Sequence, residues 1–109
     1  MNLKEIHTVY FVGIGGIGMS AIARYFAANG KKIAGYDKTP SKITKELERL
    51  GVAINFEDVV QNILPAFLDK EHTLVVYTPA VSENHTQLNY FLAQQFTVLK
   101  RAEILGKIT

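Results

Sequence analysis

The feature that most limits what this chain can fold into is a buried-type strand running straight into a glycine turn and then a helix. Thr8-Val9-Tyr10-Phe11-Val12 is almost continuously apolar, as expected of a strand covered on both faces. Gly13-Ile14-Gly15-Gly16-Ile17-Gly18 follows without a break. Beyond it, Met19, Ile22, Ala23, Phe26 and Ala27 recur at the spacing of one helical stripe. The glycine string fits G-x-G-x-x-G, a pattern that gains meaning only between a strand and a helix, which is where it stands here. Each glycine has an expected task. Gly13 permits the tight turn, Gly15 removes a side chain where phosphates approach, and Gly18 lets the helix lie close to the sheet. Backbone N–H groups near Gly15, Gly16 and Ile17 would then face the phosphates, helped by the positive end of the helix. The competing explanation is a turn needed for packing alone, although Gly15 and Gly16 together exceed what packing requires.

The remaining chain repeats the strand–helix alternation. Strands are expected at 32–37, 52–56, 73–78 and 96–99. Thr39-Pro40-Ser41 supplies a cap and a proline suited to the first turn of a second helix, with Ile43, Leu47 and Leu50 inward, and Gly51 closes it. A third helix is expected from Glu57-Asp58, with Val60, Ile63, Leu64 and Phe67 inward and Pro65 kinking or ending it. A fourth carries Leu88, Phe91 and Leu92, and a fifth runs from Arg101. Such alternation predicts an α/β fold, a Rossmann-like, doubly wound, parallel five-stranded sheet in a single domain. The expected strand order is 3-2-1-4-5.

Composition removes several classes of function. The 109 residues include no cysteine, so disulfides and thiolate metal sites are excluded. Twelve basic and ten acidic side chains leave +2, too little for a nucleic-acid or membrane surface. No apolar stretch approaches the ~20 residues that span a bilayer, and the polar start carries no secretory core. A cytoplasmic location is expected. No metal-ligand spacing and no nucleophile–base pair is present, so no catalytic residue is assigned. Gly106-Lys107-Ile108-Thr109 only superficially resembles a phosphate loop, because Arg101 and Ile108 stand where glycine and Ser or Thr are needed.

Ligands on such sheets lie beyond the carboxyl ends of the strands, where the strand order reverses. Asp37 ends the second strand about 20 positions after Gly18, the usual distance for an acid that binds a ribose hydroxyl; it equally suits a strand-end turn. Lys38 either reaches a base or is solvated. Thr78-Pro79-Ala80-Val81 faces the glycine turn and leaves room for a sugar or base, unless it is a plain connection. His85 reads as a helix cap, a solvated residue or a ligand contact. His7 and His72 precede strands at the opposite edge and read as structural.

The segment from Val12 to Ala23, with Gly35-Tyr36-Asp37, Tyr77-Thr78-Pro79-Ala80-Val81 and Arg101-Ala102-Glu103 in the same order, resembles the amino-terminal domain of the Mur ligases. The resemblance covers essentially the whole chain. It is closest to the branch adding L-alanine to UDP-N-acetylmuramate, which Met19-Ser20-Ala21 favours over the tripeptide-recycling branch. It implies that residues 1–109 are the UDP-sugar-binding domain of a ligase of peptidoglycan synthesis. The implied substrate-binding residues are Gly13, Ile14, Gly15, Gly16, Ile17, Gly18, Met19, Ser20, Asp37, Lys38, Thr78, Pro79, Ala80 and His85. The turn would hold the diphosphate; Asp37, Thr78, Ala80 and His85 would hold the uridine end. Pro79 departs from the small serine or alanine frequent there. The resemblance places ATP, magnesium and the amino acid in later domains that this sequence lacks, so the fragment is expected to bind and not to catalyse. The alternatives are the NAD-binding half of a dehydrogenase and a nucleotide-sensing regulatory module.

Overall fold

The computed structural model describes residues 2–108. Five parallel strands, β1 (Thr8–Val12), β2 (Lys32–Tyr36), β3 (Ala53–Asn55), β4 (Thr73–Tyr77) and β5 (Thr97–Lys100), form one sheet in the order β3-β2-β1-β4-β5. The helices are α1 (Ile17–Ala28), α2 (Lys42–Arg49), α3 (Thr86–Ala93) and α4 (Arg101–Ile108). This is the doubly wound architecture that the alternation predicts, with the reversal of strand order between β1 and β4.

The central strand β1 is buried along its whole length and feeds both faces. Val9 and Phe11 join Met19, Ile22, Ala23 and Phe26 of α1, Leu47 of α2 and Ile104 of α4 on one side. Tyr10 and Val12 join Phe67, Leu88 and Phe91 on the other. Fully burying each of these large apolar side chains contributes roughly 1.5–3 kcal/mol. The alternation of β1 side chains between the two faces thus welds both helical layers to one strand, and that strand delivers the glycine turn.

Three expectations need correction. The third helix does not form: residues 57–72 make short 3-10 turns at Val60–Asn62, Pro65–Phe67 and Lys70–His72. Proline disfavours the helical conformation in the residue before it, and Leu64 is accordingly extended at φ −66°, ψ 145°. Ile63 and Phe67 still anchor the segment in the core. Leu50, Leu64 and Leu92 are not inward; they are 61%, 42% and 52% exposed. Leu50 is the C-cap of α2, where the helix has already ended. In α3 the inward places go to Gln87, Leu88 and Phe91. Pro40 lies before the helix, since Ser41 is the N-cap and forms a reciprocal capping box with Thr44.

Candidate functional site

The glycine turn crosses the carboxyl ends of β1 and β2. Gly13 adopts φ +93°, a conformation that favours glycine. The N–H groups of Gly13 and Ile14 both donate to the Tyr36 carbonyl, at 2.8 and 3.0 Å. Gly16 is the N-cap of α1; no side chain caps this helix and its first turn has no acidic residue. Among the described residues, the N–H groups of Ile17, Gly18 and Met19 have no acceptor. They are the unsatisfied donors of a helix start, carrying part of the positive end of its dipole.

The glycines divide their tasks differently from the sequence expectation. A Cβ on Gly16 would meet nothing closer than 3.8 Å, so this is the glycine that leaves open approach. A Cβ on Gly15 would lie 2.7 Å from Asp37 Oδ2 and 3.1 Å from Thr44. Gly15 is small for the sake of Asp37, to which its N–H donates at 2.7 Å. Gly18 is overlaid by the Arg101 guanidinium rather than packed on the sheet. A Cβ on Gly35 in β2 would lie 2.6 Å from the Phe11 carbonyl oxygen and 2.9 Å from Ile14, whose side chain is buried there.

A cavity of about 560 Å³ opens beside the turn. Of the residues singled out in the sequence, Gly13, Gly16, Asp37, Lys38, Thr78, Ala80, Val81 and His85 line it. The others stand elsewhere. Ile14 and Met19 are core, and Ser20 is buried with its hydroxyl donating to the Ile17 carbonyl. Ile17 is 81% exposed, while Gly15, Gly18 and Pro79 do not reach the cavity wall. Tyr36, Asp58, Ser82 and Asn84 line it without having been singled out. No linear signal marks Asp58, which reads as the start of a helix that does not form. Instead its carboxylate accepts the N–H groups of Thr86 and Gln87 at 2.6 and 2.8 Å, capping α3 from a distant loop.

His85 is buried, only 7% exposed, and is the N-cap of α3. Its Nδ1 accepts the Leu88 N–H at 3.2 Å and lies 3.2 Å from Asp58 Oδ1. The Tyr36 ring stands edge-on at 4.5 Å. Among the described residues His85 Nε2 has no hydrogen-bond partner. Burial pushes the imidazole pKa down, against the opposing pull of Asp58, which favours the neutral ring. Neutral and accepting at Nδ1, the ring carries its proton on Nε2.

Behind this wall lies a buried polar network that spacing does not reveal. Tyr10 Oη donates to Gln87 Oε1 at 2.7 Å and accepts from Asn55 Nδ2 at 2.8 Å. Gln87 Nε2 donates to Asn55 Oδ1 and to the carbonyls of Glu57 and Val59. Gln87 thus holds the loop that carries Asp58, while Asp58 holds the helix that carries Gln87.

Among the described residues no cluster of three or more His, Asp or Glu side chains could hold a metal ion, and no helix is long and apolar enough to cross a membrane. The family model described as Mur ligase family, catalytic domain, matches residues 8–109. The chain is 57% identical, over all 109 residues, to curated UDP-N-acetylmuramate–L-alanine ligases of Parabacteroides distasonis and Flavobacterium psychrophilum, and spans 24% of the length of each. Among solved structures, the UDP-N-acetylmuramate–alanine ligase of Thermotoga maritima aligns with a TM-score of 0.79 at 28% identity, covering 90% of this chain and 21% of that one. A murein peptide ligase from Psychrobacter arcticus has the same fold, with a TM-score of 0.80 at 22% identity, covering 94% and 21%.

Proposed function

The chain belongs to the Mur ligase family, and from that premise we propose that residues 1–109 are the UDP-N-acetylmuramate-binding domain of an ATP-dependent ligase that adds L-alanine to that nucleotide sugar. The observation that carries the reading is the open head of α1, with three unpartnered N–H groups next to the cavity. A diphosphate reaching Gly16 meets no side chain, and the backbone donors and the helix dipole stabilise its charge. Asp37 uses one acceptor site on each oxygen, for the Gly15 and Thr39 N–H groups. A lone pair on each remains for a ribose hydroxyl. Thr78 and His85 Nε2 supply further polar contacts to the nucleoside end.

The residues present do not fit ATP or magnesium. The described residues form no metal cluster, and Gly106 to Thr109 lack the phosphate-loop spacing. In this proposal those groups, the acyl-phosphate chemistry and the amino-acid site belong to ATP-binding and carboxy-terminal domains of a longer cytoplasmic enzyme of peptidoglycan synthesis. This domain binds and orients the nucleotide sugar and is inactive alone.

Calorimetry on the 109-residue chain with UDP-N-acetylmuramate, UDP and NADH tests the reading. The uridine nucleotides should bind and NADH should not. Binding of NADH with no response to UDP would overturn it in favour of the dehydrogenase alternative.

A further inference from the structure

Arg101 opens α4 directly after the edge strand β5, does not line the cavity, and has no task in the reading above. Its guanidinium lies over the first turn of α1. A Cβ on Gly18 would come within 2.6 Å of Nη1, 3.3 Å of Cδ and 3.4 Å of Cζ. Arg101 is exposed, and the missing side chain of Gly18 leaves the room that its guanidinium takes there.

By itself this placement is unfavourable. The head of α1 is already partially positive, and its first turn contains no acidic residue. Among the described residues no carboxylate lies within ion-pair distance of Arg101. Glu103, two residues on, is turned away and accepts the Lys100 N–H at 3.0 Å. A cation, a positive helix end and three orphan donors therefore share one place without a counter-charge. Solvent screens part of the repulsion but supplies no reason for the alignment. An anion would.

Which anion follows from position. The cavity, with Tyr36, Asp37, Thr78 and His85, fits the nucleoside end. Its aromatic wall belongs to the face of the sheet that packs α3, whereas α4 packs beside α1 on the other face. A ligand that starts in the cavity and crosses Gly16 comes to Gly18 with its second phosphate. A guanidinium is suited to that group, since its planar fork can meet two phosphate oxygens at once. We propose that Arg101, held over Gly18, binds the sugar-side phosphate of the nucleoside diphosphate. It thereby makes the site select diphosphates over monophosphates. This assignment rests on the nucleotide-sugar reading.

The test compares UMP with UDP, titrated into the 109-residue chain and its Arg101→Gln, Gly18→Ala and doubly substituted forms, with circular dichroism confirming the fold. Arg101→Gln should weaken UDP by about tenfold or more, the scale of a lost charge-assisted hydrogen bond, and leave UMP within about twofold. Gly18→Ala, which pushes the guanidinium aside, should reproduce the loss, and the double variant should be no worse than either single one. Equal losses for UMP and UDP, or none for UDP, would overturn the role of Arg101 alone. Failure of the unsubstituted chain to bind either nucleotide would instead remove the nucleotide-sugar reading, and this assignment with it.

Discussion

Gly15 and Asp37 are joined by a 2.7 Å hydrogen bond, in which the backbone N–H of the turn donates to Oδ2 of the carboxylate just past β2. The second oxygen accepts the Thr39 N–H at 3.1 Å. One side chain therefore ties the turn after β1 to the loop after β2 before any ligand is present. The acid is a structural member of the site as well as a candidate partner for a ribose.

That double role makes Asp37→Ala a stability variant. It leaves two N–H groups without their acceptor, and urea denaturation should show a loss of about 1–3 kcal/mol. UDP affinity should fall in the same variant. Asp37→Asn, which keeps an acceptor oxygen, should recover much of the stability. An Asp37→Ala chain as stable as the original would show that the carboxylate does not brace the turn.

Gly15 and Gly16 should respond oppositely to alanine. At Gly15 a methyl group is driven into Asp37 and Thr44, so Gly15→Ala should destabilise the fold by about 1–3 kcal/mol. At Gly16 the backbone is at φ −66° and the space is open. Gly16→Ala should leave the melting temperature unchanged or slightly raised while lowering UDP affinity by about tenfold or more. A Gly16→Ala chain that binds UDP normally would move the phosphate site away from the head of α1.

These contrasts bear on what the sequence makes legible. Continuous apolarity in residues 8–12 and the stripe from Met19 to Phe26 report burial directly, so strand order and the place of the turn follow from local pattern. The division of labour among the glycines does not, because it depends on which group arrives from elsewhere: Asp37 at Gly15, Arg101 at Gly18, the Phe11 carbonyl and Ile14 at Gly35. Residues 57–72 mislead for a related reason. Val60, Ile63, Leu64 and Phe67 have helical spacing, yet Pro65 breaks the backbone pattern, and Gln87 binds the Glu57 and Val59 carbonyls. Asp58 and Tyr36 reach the cavity through such long-range contacts, which leave no mark in linear spacing.

The Gln87 network should be among the costliest places to disturb. Gln87→Leu keeps the bulk but takes the donor from Asn55 Oδ1 and the acceptor from the Tyr10 hydroxyl, so a loss of about 3 kcal/mol is expected. Tyr10→Phe should lose about 1–2 kcal/mol, and the two changes should not add. Burial pushes the Tyr10 phenol up to about 12 from 10.0. The unfolded chain therefore ionises first, and stability should decline as pH rises above 10, a decline reduced in Tyr10→Phe. Additive losses in denaturant melts would show that the two side chains act independently.

His85 gives the domain an acid-side dependence of definite sign. Burial holds its pKa below the ordinary 6.5, with Asp58 opposing. Between the folded and unfolded pKa values the unfolded chain binds more protons, so stability is complete above 6.5 and falls as pH drops through the folded value. The slope cannot exceed about 1.4 kcal/mol per pH unit for one group. His72 acts in the opposite direction. Its hydrogen bond to Asp69 raises its pKa, so its contribution is present below 6.5 and is lost as pH rises through the folded value. Subtraction separates the two. Asn is a good N-cap, so His85→Asn should keep α3 capped while removing the acid-side loss. Thermal melts from pH 5 to 7.5 should show the unsubstituted chain losing stability toward pH 5 relative to His85→Asn. Parallel curves would mean that His85 is solvated in solution, and that Nε2 is not the buried donor proposed for the nucleoside.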